Sequence, residues 1–164
     1  MTDNSIITHQ LLSCLVGTWI GEGRGEFPGV TSFDYHETLV FARRDEKNLA
    51  YEQRAQKRYD GGTEYIPSHW ESGFISILED NHLQMANIQI GGRNEILVGS
   101  VESIDDMFRI HFVSKTLNND PRMVSTTRTF ELEGDTLRYD MAMHTTKVKQ
   151  LTPHLKSVLQ RVKS

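Results

Sequence analysis

Hydrophobic and polar residues alternate along much of this chain. In the run Phe33–Phe41 every second residue is apolar except Glu37, and the residues between them are mostly polar. Phe108–Phe112 and Leu137–Met143 repeat the pattern. A period of two places successive side chains on opposite faces of a strand, so these runs predict half-buried β-strands. Glu37 is then a single polar residue on an apolar face.

Turn-forming residues separate these runs at regular intervals. Gly91-Gly92 lies between two strand-like runs, as in a β-hairpin. The other breaks are Pro28-Gly29, Arg43–Asn48, Asp60–Gly62, Glu79–Asn81, Asp105-Asp106, Asn118–Pro121 and Glu133–Asp135. The runs between them number about ten and have no helices between them, which predicts an all-β, antiparallel ten-stranded barrel. A barrel of that width can hold a small ligand.

The two ends of the chain depart from this alternation. Residues 5–16 have apolar spacings that suit a short N-terminal helix across one barrel end, which Gly17 would stop. Residues 150–163 show helical spacing, yet Pro153 disfavours helix at the residue before it. A barrel also needs a last strand to pair with the first. We therefore expect a closing strand from about His154, and one barrel domain over residues 1–164 with no linker or repeat.

Glycine recurs at every second position between Gly21 and Gly25, shortly after Trp19. Such residues share one face of a strand, where glycine marks a bend, a bulge or close backbone approach. We interpret Gly17–Gly29 as a first strand that bends as the sheet curls around a cavity. A flexible glycine-rich loop is the alternative. A phosphate-binding loop is disfavoured because no strand precedes the glycines and no helix pattern follows them.

Composition limits the classes of function. The 164 residues carry a formal net charge of -4, which argues against a nucleic-acid surface. Cys14 is the only cysteine, so no internal disulfide can form, which fits a reducing compartment. There is no signal-peptide pattern and no apolar stretch of membrane-spanning length. We expect a cytoplasmic protein that binds no membrane.

Histidines are the candidates for chemistry, although no metal-binding spacing links them. The strand pattern places His69, Glu71 and Gly73 on one face, with Trp70 on the other. His69 could serve a ligand or simply pair with the neighbouring carboxylate. His154 follows Pro153, which could fix its approach. Three others, on faces opposite the apolar one, are expected to face solvent: His36, His111 and His144.

Several short motifs occur together in a recognisable order. Gly17–Gly23 resembles the Gly-x-Trp-x-Gly-x-Gly signature of the nitrobindins, which are haem-binding β-barrels of the lipocalin and fatty-acid-binding-protein shape. The further matches are Glu26-Phe27-Pro28, Phe33-x-Tyr35-x-Glu37, Pro67-x-His69-x-Glu71-x-Gly73-Phe74 and Leu151–Leu155. The match covers roughly residues 12–163, and the common order of the motifs makes the resemblance specific.

The resemblance implies a ferric haem b site. It assigns His154 as the axial iron ligand and His69 to the distal side of the pocket. Met141 or Met143 would pack against the porphyrin, although an ordinary core role suits either residue. Arg122 falls near a basic residue that contacts haem in the family, where it would suit a propionate; a solvated arginine is the alternative there.

The resemblance also implies isomerisation of peroxynitrite to nitrate and binding of nitric oxide. One position departs from the family: Gly29 stands where relatives often carry a haem-contacting threonine, unless Thr31 substitutes. The alternative function is a non-enzymatic carrier of a fatty acid or another apolar ligand, with Arg128 holding the carboxylate. An exposed barrel face would also allow a homodimer, which nothing in the sequence shows.

Overall fold

The computed structural model describes residues 3–163 and confirms the predicted ten-stranded antiparallel barrel with its short helix. The elements are α1 Asp3–Leu15, β1 Gly17–Phe27, β2 Val30–Arg43, β3 Asn48–Tyr59, β4 Ile66–Ile77, β5 Leu83–Gln89, β6 Asn94–Ile104, β7 Met107–Asn118, β8 Met123–Glu133, β9 Thr136–Thr145 and β10 Thr152–Arg161. No helix among residues 3–163 is long and apolar enough to cross a membrane.

Each strand pairs antiparallel with its neighbours in sequence, and β1 pairs with β10 to close the barrel. The expected closing strand is therefore confirmed, and it begins at Thr152, two residues earlier than predicted. The need to cover the edge of β1 outweighs the helical spacing of these residues. Between Pro153 and Leu155 the register of β10 against β9 shifts, so His154 lies at a bulge.

The glycine-rich segment forms β1 rather than a loop, and its glycines allow close packing. A Cβ on Gly21 would overlap the Val158 carbonyl oxygen of β10. On Gly23 and Gly25, a Cβ would overlap the rings of Tyr35 and Phe33, their partners across β2. Only glycine permits this approach without displacing backbone or aromatic neighbours.

One end of the barrel is closed by α1, whose Leu11, Leu12 and Leu15 are buried. The Trp19 indole Nε1 donates to the Leu15 carbonyl at 2.9 Å. Arg161 stacks over Trp19 at 4.2 Å and donates to the main-chain carbonyls of Cys14, at the end of α1, and Val16, which follows it. An apolar core fills the barrel beside the helix.

Candidate functional site

A cavity of about 540 Å³ opens at the barrel end opposite the helix. Its mouth is formed by the β1–β2 and β9–β10 turns together with parts of the β5–β6 and β7–β8 connections. Most of the predicted site residues line it: His69, Arg122, Met141, Met143 and His154. Thr31 is exposed and does not belong to the lining, whereas Gly29 and Val30 do.

The bulge in β10 brings His154 into the cavity wall. Because the strand carries one extra residue there, His154 and Leu155 both line the cavity instead of pointing to opposite faces. The His154 Nδ1 lies 3.1 Å from the Glu26 carbonyl oxygen. A carbonyl only accepts, so Nδ1 carries the proton and the Nε2 lone pair is left for a ligand.

Two aromatic rings hold the His154 imidazole in place. Phe27 and Phe33 contact it edge-on, with ring centroids 5.4 Å and 6.1 Å away. Burial lowers the pKa of His154, although the hydrogen bond to the Glu26 carbonyl opposes this shift. The imidazole is therefore neutral at pH 7, which is the form that ligates a metal.

His69 lies on β4, and it faces the opposite side of that strand from Trp70, as the alternation predicted. Trp70 is 47% exposed on the outer face, while Glu71 is buried inside the barrel. The His69 Nε2 and the Glu71 Oε2 are 2.8 Å apart. The predicted pairing with a neighbouring carboxylate and a position on the cavity wall thus both hold.

Glu71 belongs to a buried ionic network that spans the barrel. Arg128 of β8 donates to both Glu71 oxygens, at 2.5 Å and 3.1 Å, and to Glu95 of β6 at 2.7 Å. Tyr51 donates to Glu71 at 2.8 Å. Burial alone would raise the pKa of Glu71, but Arg128 and His69 hold that pKa below its usual range. The network therefore contains an ionised carboxylate directly beneath His69.

A third buried carboxyl group, Glu37, completes the inner wall. It accepts hydrogen bonds from the Gln53 amide and from the Ser157 hydroxyl, the latter at 2.8 Å. Burial raises the pKa of Glu37, and its hydrogen bonds only partly oppose this shift. We call Glu37, Glu71, Glu95 and Arg128 the polar floor. They separate the cavity from the apolar core, to which the buried residues that follow Glu71 along β4 belong.

The sequence indicated parts of this floor but not its connections. Glu37 stood out as polar on an apolar face, and Arg128 was considered as a partner for a ligand. Glu95 and Tyr51 were missed. Alternation along β6 would have identified Glu95 as an inward residue, since it shares its face of the strand with the buried Leu97.

Basic side chains surround the mouth of the cavity. Lys57, Arg93, Arg122 and Lys147 line it. Arg122 is 80% exposed and pairs at 2.9 Å with Asp120, whose side chain is only 9% exposed. Arg93 lies 3.6 Å from the same carboxylate. The cavity thus has a cationic mouth above an acidic floor.

Comparison with known proteins identifies the family. Residues 9–161 match the family described as "THAP4-like, heme-binding beta-barrel domain". The chain belongs to this haem-binding barrel family. The resemblance to nitrobindins that the motifs indicated is thereby confirmed.

Relatives of this haem-binding barrel agree in length and fold. A protein of Nocardia farcinica named peroxynitrite isomerase is 33% identical over 153 residues, covering 92% of this chain and 88% of its own. One of Mycobacterium leprae with the same name is 30% identical over 155 residues and 93% of both chains. The crystal structure of Rv2717c from M. tuberculosis has a TM-score of 0.84 at 27% identity, covering 95% of this chain and 98% of that one.

The residues of this family member suit a haem group. His154 presents Nε2 from a cavity wall that also contains Met141, Met143 and Leu155. A neutral imidazole and an apolar wall are what haem iron and a porphyrin face require. No cluster of three or more His, Cys, Asp or Glu side chains that could hold a bare metal ion occurs among the described residues.

Proposed function

We propose that this protein binds ferric haem b in the barrel cavity, with His154 as the axial ligand through Nε2. The observation that carries the proposal is the β10 bulge, which turns His154 inward, together with the Glu26 carbonyl that fixes its tautomer. A hydrogen bond from the second nitrogen of a ligating histidine orients the ring and makes it more basic. His69 would then lie near the face of the haem that carries no protein ligand.

Other residues of the cavity would hold and shield the group. Met141, Met143 and Leu155 supply an apolar wall that excludes water. Lys57, Arg93 and Arg122 at the mouth suit the carboxylates of the propionates. Gly29 and Val30 contribute no hydroxyl at the rim, so the interaction made by threonine in relatives would be absent.

We further propose that the haem-loaded protein isomerises peroxynitrite to nitrate and binds nitric oxide. The relatives named peroxynitrite isomerase support this activity. Bound haem would supply an iron with one open coordination position for these small ligands. Peroxynitrite and nitrate contain the same atoms and charge, so the chain's residues need to bind and orient the anion but need no external oxidant or reductant. The cationic mouth would attract that anion.

The polar floor argues against the fatty-acid carrier. Arg128 already pairs with two carboxyl groups, so the cluster has an excess of acidic groups. Its Nε, which has no hydrogen-bond partner among the described residues, could donate to a ligand oxygen. A carboxylate placed there would still face Glu71 and Glu95, and like charges in a buried site repel strongly.

Stopped-flow kinetics of peroxynitrite decay test the proposed activity, with nitrate and nitrite quantified afterwards. We expect the haem-loaded protein to accelerate decay and to raise the nitrate fraction, whereas the haem-free protein does neither. Haem loading without acceleration would reject the isomerase activity and leave haem binding intact. Tight oleate binding that excludes haemin would instead support the carrier.

The cytoplasmic location and the homodimer are proposals as well. The lone Cys14, exposed and free in the structure, is compatible with a reducing compartment. Sedimentation of the purified protein would measure the oligomeric state.

A further inference from the structure

The two histidines of the cavity are held by acceptors on different ring nitrogens. In His154 the Nδ1 faces the Glu26 carbonyl, and in His69 the Nε2 faces the Glu71 carboxylate. An acceptor requires the facing nitrogen to carry a proton. In their neutral forms the two rings are therefore opposite tautomers, with the bare nitrogen at Nε2 in His154 and at Nδ1 in His69.

Glu71 can impose this state because its own position is fixed. Both of its oxygens bind Arg128, and Tyr51 donates to one of them. The carboxylate is completely buried and ionised, so it remains a pure acceptor at neutral pH. A neutral His69 with its proton on Nδ1 would place a lone pair against this carboxylate at 2.8 Å, which is repulsive.

We propose that Glu71 is a positioning residue that holds His69 as the Nε2–H tautomer, so that neutral His69 offers a hydrogen-bond acceptor to ligands in the cavity. The consequence for ligand choice rests on the proposed function. A ligand that carries a proton, such as water or peroxynitrous acid, can donate to Nδ1. Nitric oxide has no proton and gains no hydrogen bond from this nitrogen. His69 would thus favour protonated ligands over nitric oxide.

Long-range proton–nitrogen correlation spectra of the haem-free, nitrogen-15-labelled protein at pH 8 test the assignment directly. His69→Asn and His154→Ala identify the two rings by the loss of their signals. We expect a bare Nδ1 for His69 and a bare Nε2 for His154. A His69 ring with its proton on Nδ1 would overturn the proposal, and this result needs no variant in the network to fold.

Glu71→Gln and Glu95→Gln separate positioning from general stability. Both variants remove a charge that pairs with Arg128, but only Glu71 contacts His69. We expect Glu71→Gln to give a mixture of His69 tautomers and Glu95→Gln to leave the Nε2–H form unchanged. Equal shifts in both would show that Glu71 has no specific role. Because the protein is haem-free, a failure to bind haemin would reject the proposed function without altering this result.

Discussion

At the scale of single residues, Arg128 holds the polar floor together. Arg128 is 1% exposed and pairs with two carboxyl groups, on β4 and β6, neither of which is a neighbour of β8 in the sheet. Replacing a whole buried ionic network by apolar residues is often neutral, but removing one partner leaves buried charges uncompensated. The floor is thus sensitive to loss of its single cation.

Arg128→Met should lower the free energy of unfolding by about 3–5 kcal/mol, because Glu71 and Glu95 lose their counter-ion. Urea unfolding measures the change. Arg138→Met is the matched control, since Arg138 and its partner Glu133 are 41% and 58% exposed; its effect should stay within about 0.5 kcal/mol. Equal effects of the two substitutions would contradict the role of the floor.

The free energy of unfolding of the Glu37→Gln variant should rise relative to that of the parent protein as pH rises. Burial raises the pKa of Glu37 in the folded state, so folding favours the protonated form. The stability linked to this proton is present below the unfolded pKa, about 4.3, and is lost as pH rises through the folded pKa. Urea unfolding should give a larger free energy of unfolding for the variant, relative to the parent, at pH 8 than at pH 5. A pH-independent difference would contradict the shift.

The faces of these residues follow from the sequence, but their partners do not. Alternation correctly placed Glu37 on the apolar face of β2 and put His69 and Glu71 on the face of β4 opposite Trp70. Contact between Arg128 and Glu71 depends on the barrel's width, because β8 and β4 are not neighbours in the sheet. A period of two records which face a residue occupies and carries no information on what lies across the interior.

At the scale of strands, β1 and β10 determine the shape of the site. Glycine at Gly21 lets the two backbones approach where the barrel closes, and the bulge at His154 turns a candidate ligand inward. The bulge interrupts the regular pairing of β10 with β9, whereas the β1–β10 register is unbroken at Gly21. A side chain at Gly21 would prevent the close contact, and a strand without the bulge would not turn both His154 and Leu155 inward.

Gly21→Ala should loosen the β1–β10 seam, because the added methyl overlaps the Val158 carbonyl oxygen. Overpacking of this kind costs about 1–3 kcal/mol. Hydrogen exchange should accelerate at amides of β1 and β10. Gly29→Ala is the comparison: it has open space but a φ of 79°, so its strain should affect only the β1–β2 turn. Undisturbed exchange along the seam in Gly21→Ala would show that the packing there is not tight.

The glycine spacing made β1 predictable as a strand, whereas β10 could be predicted only by a global argument. Its apolar residues fit a helix as well, and the need to close the barrel decided the question. The bulge could not be predicted from the pattern, since one extra residue shifts the register without changing the local composition. The role of His154 therefore came from the family resemblance.

At the scale of the whole molecule, the barrel interior is layered along its axis. Helix α1 and the apolar core fill one end, the polar floor lies above them, and the cavity opens toward basic residues at the mouth. The net charge of -4 gives no hint of this separation, because opposite charges occur throughout the sequence. A ligand with an apolar body and anionic groups at one edge matches the order of these layers.

The central claim is that His154 binds haem iron, and a haemin titration followed by absorbance tests it most directly. The parent protein, His154→Ala and His111→Ala should be compared; His111 is an exposed histidine of β7 that lies outside the cavity lining. The account predicts a saturable Soret shift at equimolar haemin in the parent and in His111→Ala, and its loss in His154→Ala. An unchanged titration in His154→Ala, or no shift in the parent, would contradict the account.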